Sequence, residues 1–141
     1  MVSEFTRANR TRLNVFPKGD IYRFRMYFDE PGLFASLQPY YNKQEYRFEV
    51  PGDRFENVAD LLRSYGYNPV VVEDVEPFVV AFKRFRDHPR VLFKNAIDER
   101  RTGRYTLFLL RDQESVRKAV EKGARQVRDL EGVSWPARKG D

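Results

Sequence analysis

The chain has 141 residues, 41% hydrophobic and 15% aromatic, which suits one globular domain with a core able to fold unaided. It contains no cysteine and a single histidine, His88, and this excludes disulfides, thiolate metal sites, cysteine nucleophiles and histidine clusters. A net charge of +5 favours polyanionic partners, while the absence of any membrane-length apolar run and the polar, basic stretch from Met1 to Arg12 lead to the expectation of a soluble, cytoplasmic protein with no membrane partner.

Residues 1–18 mix Thr, Arg and Asn with isolated apolar side chains and show no clear period. They read as a basic N-terminal arm that exposes Arg7, Arg10 and Arg12 and ends near Pro17. The α+β domain is expected over residues 19–128. From Ile21 to Phe28 strict alternation predicts a strand with Tyr22, Phe24, Met26 and Phe28 buried and Ile21, Arg23, Arg25 and Tyr27 on the opposite, cationic face. Asp29-Glu30-Pro31-Gly32 breaks this strand, and Leu33 to Leu37 predicts a short helical turn before Pro39 and Tyr40-Tyr41.

Glu45 to Val50 alternates again, which predicts a second strand burying Tyr46, Phe48 and Val50 and exposing Glu45, Arg47 and Glu49. Asp53 with Glu56 three residues on has the form of a capping box for a helix lined by Phe55, Val58, Ala59, Leu61, Leu62 and Tyr65, with Gly66 as its stop. Val70-Val71-Val72 predicts a β-branched strand. The turn Glu73-Asp74-Val75-Glu76-Pro77 then leads into a strand from Phe78 to Phe85, so these two strands are expected to form a hairpin.

A basic helix is expected from His88-Pro89, with Leu92, Ala96 and Ile97 inward, followed by an Arg100-Arg101-Thr102-Gly103-Arg104 turn. Tyr105 to Leu110 is apolar on both faces and reads as a central strand. Asp112 caps a last helix carrying a Glu114/Lys118 pair, and residues 129–141 read as a C-terminal tail. The order gives a single α+β domain, a mainly antiparallel sheet of four to five strands with helices packed on one side, leaving the other sheet face to bind.

The charge is concentrated. Residues 26–82 hold four Lys or Arg against ten acids, whereas Lys83 to Arg111 holds nine against three. Candidate binding residues are Arg23, Arg25, Tyr27, Arg47, Lys83, Arg84, Phe85, Arg86, Arg90, Lys94, Arg100, Arg101, Arg104 and Tyr105. Arginines neutralise phosphates, and each base stacked on an aromatic ring adds about 1–3 kcal/mol without demanding a particular sequence.

The expectation is therefore non-enzymatic binding of single-stranded nucleic acid, without a cofactor, through a basic, aromatic groove. No phosphate-cradling glycine loop, zinc spacing or nucleophile elbow competes with it. One alternative is a metal-dependent nuclease using Glu73, Asp74 and Glu76 with Lys83 nearby. Another is a protein-interaction or oligomerisation module that buries a partner or a second copy of the chain. His88, beside Pro89 at a helix start, reads as a cap or surface residue.

Over roughly Ile21 to Val127 the chain resembles the archaeal single-stranded DNA-binding proteins of the ThermoDBP type, which replace OB-fold proteins in some thermophiles. The Lys94-Asn95-Ala96-Ile97 helix, the Arg100-Arg101-Thr102-Gly103-Arg104-Tyr105 turn and the Leu110-Arg111-Asp112 helix start carry the likeness. The resemblance implies binding of single strands, DNA ahead of RNA, in an apolar cleft bordered by basic residues. Some members of that family add a C-terminal zipper for dimerisation. No heptad zipper follows Val127 here, so that mode of association is not expected.

Overall fold

Leu13 and Val15 alternate with Asn14 and Phe16, and all four are buried. They belong to β1 (Thr11–Lys18), a strand where a basic arm is expected from the sequence. Because both faces of this strand are covered, the polar/apolar alternation that marks a half-exposed strand is missing. The computed structural model describes residues 11–84 and 88–135. Its class is α+β, as expected, but the strands form two sheets, of five and four strands, where one was expected. The chain packs as two compact units, Met1–Val72 and Glu73–Asp141.

In the first unit the strands run in the order β3-β4-β2-β1-β5, with β2 (Ile21–Phe24), β3 (Tyr41–Asn42), β4 (Arg47–Pro51) and β5 (Tyr67–Val71). The pairings are antiparallel except for β1 with β5, which is parallel. Helices α1 (Pro31–Leu37) and α2 (Gly52–Ser64) supply Leu33, Leu37, Phe55, Val58, Ala59 and Leu62 to the core. There they meet Leu13, Val15, Phe24, Phe48 and Val50. Each fully buried large side chain contributes about 1.5–3 kcal/mol of transfer free energy.

The capping box expected for α2 does not form. Pro51 is the N-cap, without a side-chain cap, and Asp53 sits within the first turn, where its charge complements the helix dipole. Gly66 does end the helix, at φ +92°, a left-handed conformation that side-chain-bearing residues resist.

The hairpin expected between residues 70–72 and 78–85 is likewise replaced. β5 pairs with β1, Val15 facing Val71, while β6 (Val79–Lys83) belongs to the second sheet. Pro77 lies in a 3-10 turn, Glu76–Phe78, between the two strands. A loop short enough for a hairpin thus serves as the joint between two sheets.

The second sheet has the order β7-β8-β6-β9, with β7 (Ala96–Thr102), β8 (Tyr105–Leu110) and β9 (Arg125–Gln126), all antiparallel. The doubly apolar β8 is central, as its composition predicts. Helices α3 (Arg90–Asn95) and α4 (Gln113–Glu121) cover one face, where Leu92, Val116 and Ala119 pack on Val80, Phe108 and Leu110.

The basic helix is shorter than expected, because Ala96 to Thr102 turns extended and pairs along β8. Asn95 marks the switch: its carbonyl accepts from the Arg111 backbone N–H (2.9 Å) and its Oδ1 from Arg111 Nε (2.9 Å). Hairpin pairing with the apolar β8 across the tight turn at Gly103 overrides the helix propensity of Glu99-Arg100-Arg101. The cap of α4 is as expected, Asp112 Oδ1 accepting from the Ser115 N–H at 2.7 Å. Among the described residues no helix is long and apolar enough to cross a membrane.

Candidate nucleic-acid interface

In the first unit the chain leaves β2 after Phe24, and Arg25-Met26-Tyr27-Phe28 runs on outside the sheet. Phe24 stacks on Phe48 (5.1 Å between ring centres), while Phe28 meets Phe48 (5.6 Å) and Tyr67 (5.2 Å) edge on. Tyr41 leans on the other side of Phe48 at 4.9 Å. Of these, Phe28, Tyr41 and Phe48, together with Met26, line a cavity of about 210 Å³ that Arg25, Tyr27, Phe34 and Tyr46 also line. Three of the lining rings face solvent: Tyr27 is 61% exposed, Tyr46 59% and Phe34 42%.

Tyr46 was expected to be buried in a strand and is instead presented by a turn. Asn42 Oδ1 accepts from the backbone N–H groups of Gln44 (3.0 Å) and Glu45 (3.1 Å), which closes a side-chain-capped turn. Tyr46 then takes φ +57°, the only non-glycine residue with positive φ among those described. Strand β4 begins one residue later, so the expected register holds for Phe48 and Val50 but not for Tyr46. Over the Tyr46 ring, at 5.8 Å from its centre, lies the Arg25 guanidinium, which also donates from Nη2 to Tyr27 Oη at 3.3 Å.

Two arginines of the expected cationic face have other work. Arg23 is 4% exposed, and its Nε donates to the Phe16 carbonyl at 3.1 Å. The expectation that it projects is therefore corrected, since a buried guanidinium must be satisfied within the fold. Arg47 is half-buried and pairs with Glu49 (Nε to Oε2, 2.8 Å), whose same oxygen accepts from Asn42 Nδ2 at 3.1 Å.

In the second unit the structure gathers Lys83, Arg84, Arg101, Arg104 and Tyr105 at one end of the sheet. Lys83 stands opposite Tyr105, and Arg101 opposite Thr106. The Arg84 backbone N–H donates to the Arg104 carbonyl (2.8 Å) and its Nη1 to the Gly103 carbonyl (3.0 Å). Gly103, at φ +54°, makes the tight β7–β8 turn that brings these residues round. Arg100, one position further along β7, pairs with Asp98 (3.6 Å), and its guanidinium lies 5.1 Å from the Trp135 ring centre. Arg90 and Lys94 are exposed at the two ends of α3. Phe85 and Arg86, and Arg7 and Arg10 of the arm, lie outside the described residues.

The acidic turn does not assemble a metal centre. Asp74 Oδ1 accepts from the Glu76 backbone N–H at 3.1 Å, and among the described residues no three His, Asp or Glu side chains are placed to hold a metal ion. Phe34, Tyr46 and Phe93 are exposed rings that are not among the candidates expected from the sequence. For Phe34 a signal existed: Leu33 and Leu37, four apart, already occupy the buried stripe of α1, which turns Phe34 outward.

No protein-family model matches the chain, and no curated protein or solved structure matches it.

Proposed function

We propose that the protein binds single-stranded nucleic acid without catalysing a reaction, DNA ahead of RNA, by stacking bases on exposed rings and pairing arginines with phosphates. One observation carries this reading: three solvent-facing rings, Tyr27, Phe34 and Tyr46, line an aromatic cavity with Arg25 over the Tyr46 ring. A lining cation disfavours a cationic guest and favours a flat π-system attached to an anion, which describes a nucleotide. At about 210 Å³ the cavity is smaller than the roughly 300–1,000 Å³ of common small-molecule sites. That size suits one inserted ring system of a longer ligand. The preference for DNA follows the resemblance to the ThermoDBP-type proteins.

Fluorescence anisotropy with labelled oligonucleotides at several salt concentrations tests the proposal. Binding weakens as salt rises, with a slope near 0.7 per phosphate contacted, and single strands bind ahead of blunt duplex. Equal or tighter binding to duplex, or no binding at low salt, overturns it.

A further inference from the structure

We propose that the second unit carries its own base-stacking site, centred on Phe93 and backed by His88, which adds to the affinity that the Arg25–Tyr46 cavity gives the chain for nucleic acid. The proposal rests on the single-strand reading above and adds two rings, Phe93 and His88, to the cations Lys83, Arg90 and Lys94 that the sequence already singles out.

Phe93 is 51% exposed, although it sits on a helix whose neighbour Leu92 is fully buried. Its ring stands perpendicular to the buried Phe108 at 5.8 Å between centres, so that contact anchors it while about half of the residue stays exposed. His88 lies beside it at 6.1 Å and is itself wedged edge on between Phe82 (5.3 Å) and Phe108 (5.3 Å). His88 Nε2 is 3.3 Å from the Lys83 carbonyl oxygen, within reach to donate a hydrogen bond to it, which ties this ring cluster to the basic end of β6. The two rings, tilted by 37° to one another, are each held in place, Phe93 by packing on Phe108 and His88 by Phe82, Phe108 and the Lys83 carbonyl.

Cations flank it. Arg90 precedes Phe93 by three residues and Lys94 follows Arg90 by four, so one turn of α3 sets Arg90 next to both. Lys83, exposed, lies at the strand end whose carbonyl meets His88. An exposed ring among cations offers a single strand both of the interactions it needs, a face for base stacking and positive charge for its phosphates.

The test uses the full chain and a labelled oligothymidylate, with Phe93→Leu, which keeps apolar bulk but removes the flat ring, and Phe93→Tyr, which keeps it. Phe93→Leu is expected to weaken binding roughly 5- to 150-fold, the span of one base–aromatic stack, while Phe93→Tyr retains wild-type affinity. Thermal unfolding of both variants monitors the contact with Phe108, which Phe93→Leu loses and Phe93→Tyr keeps. Arg90→Gln and Lys94→Gln each lower the salt slope by about 0.7. If the wild type binds and Phe93→Leu binds as tightly, or if Phe93→Tyr loses as much as Phe93→Leu, the second site is refuted and the first survives. A wild type that binds no oligonucleotide refutes both.

Discussion

Arg25 and Tyr46 meet face to cation at 5.8 Å although twenty residues of chain separate them, and each is held from behind. Arg25 is steadied by Tyr27 Oη, and Tyr46 by a turn that accepts a positive φ. A non-glycine residue in the left-handed region costs of order 1 kcal/mol or more. Replacing Tyr46 by glycine removes that cost together with the ring. Tyr46→Gly is therefore expected to leave stability unchanged or slightly raised while weakening oligonucleotide binding by roughly tenfold, the loss of one stack. Chemical denaturation and anisotropy on the same sample separate the two effects.

Arg23 predicts the opposite split. Its buried Nε satisfies the Phe16 carbonyl, so Arg23→Ala is expected to destabilise the fold by about 1–3 kcal/mol. Being enclosed, it contributes nothing to phosphate neutralisation, and the salt slope of binding stays at the wild-type value. Arg25→Ala, by contrast, is expected to lower the slope with little effect on the denaturation midpoint. An Arg23 variant with wild-type stability and a reduced slope would return that residue to the interface.

How far the sequence disclosed this arrangement depended on whether each signal was local. Asp112, β8 and the Gly66 stop were legible because a cap, a doubly apolar run and a left-handed glycine are each specified within a few residues. β1 was not, because burial on both faces erased its period. β7 was not, because its helix-favouring residues become extended only through pairing with β8. Alternation alone assigned Arg23 to an exposed face and Tyr46 to a buried one. The first is enclosed in the fold, and the second falls one residue before its strand begins. The cationic composition was plain, but which rings reach solvent depended on turns and on the width of the buried stripe of a short helix.

Tyr67 gives the chain an alkaline limb. Burial first, then the hydrogen bond from its hydroxyl to Glu30 (3.1 Å) and the nearby charges of Glu30 and Asp29, raise its pKa above the usual value of 10.0. The folded state thus holds this proton more tightly than the unfolded chain does. The stabilisation is fully present below pH 10.0 and is lost as the pH rises through the folded value, because the unfolded state deprotonates first. Denaturation midpoints measured across this range should fall more steeply for the wild type than for Tyr67→Phe. Identical slopes would show that Tyr67 does not govern the limb.

Trp135 is the only tryptophan, so its emission reports on one place: the Arg100 guanidinium at 5.1 Å from its ring. Arg100 also pairs with Asp98 at 3.6 Å, and an added phosphate must compete with both partners. A cation–π contact of this kind is worth about 0.5–1 kcal/mol when partly exposed, little enough for a polyanion to displace. If Arg100 belongs to the interface, titration with oligonucleotide at low salt is expected to shift the Trp135 emission, added salt to reverse the shift, and Arg100→Ala to abolish the response. If the emission stays constant while anisotropy reports binding, Arg100 is confined to a structural role beside Asp98 and Trp135, and the proposed nucleic-acid contacts of the second unit reduce to Lys83, Arg84, Arg101, Arg104, Tyr105, Phe93 and the cations of α3.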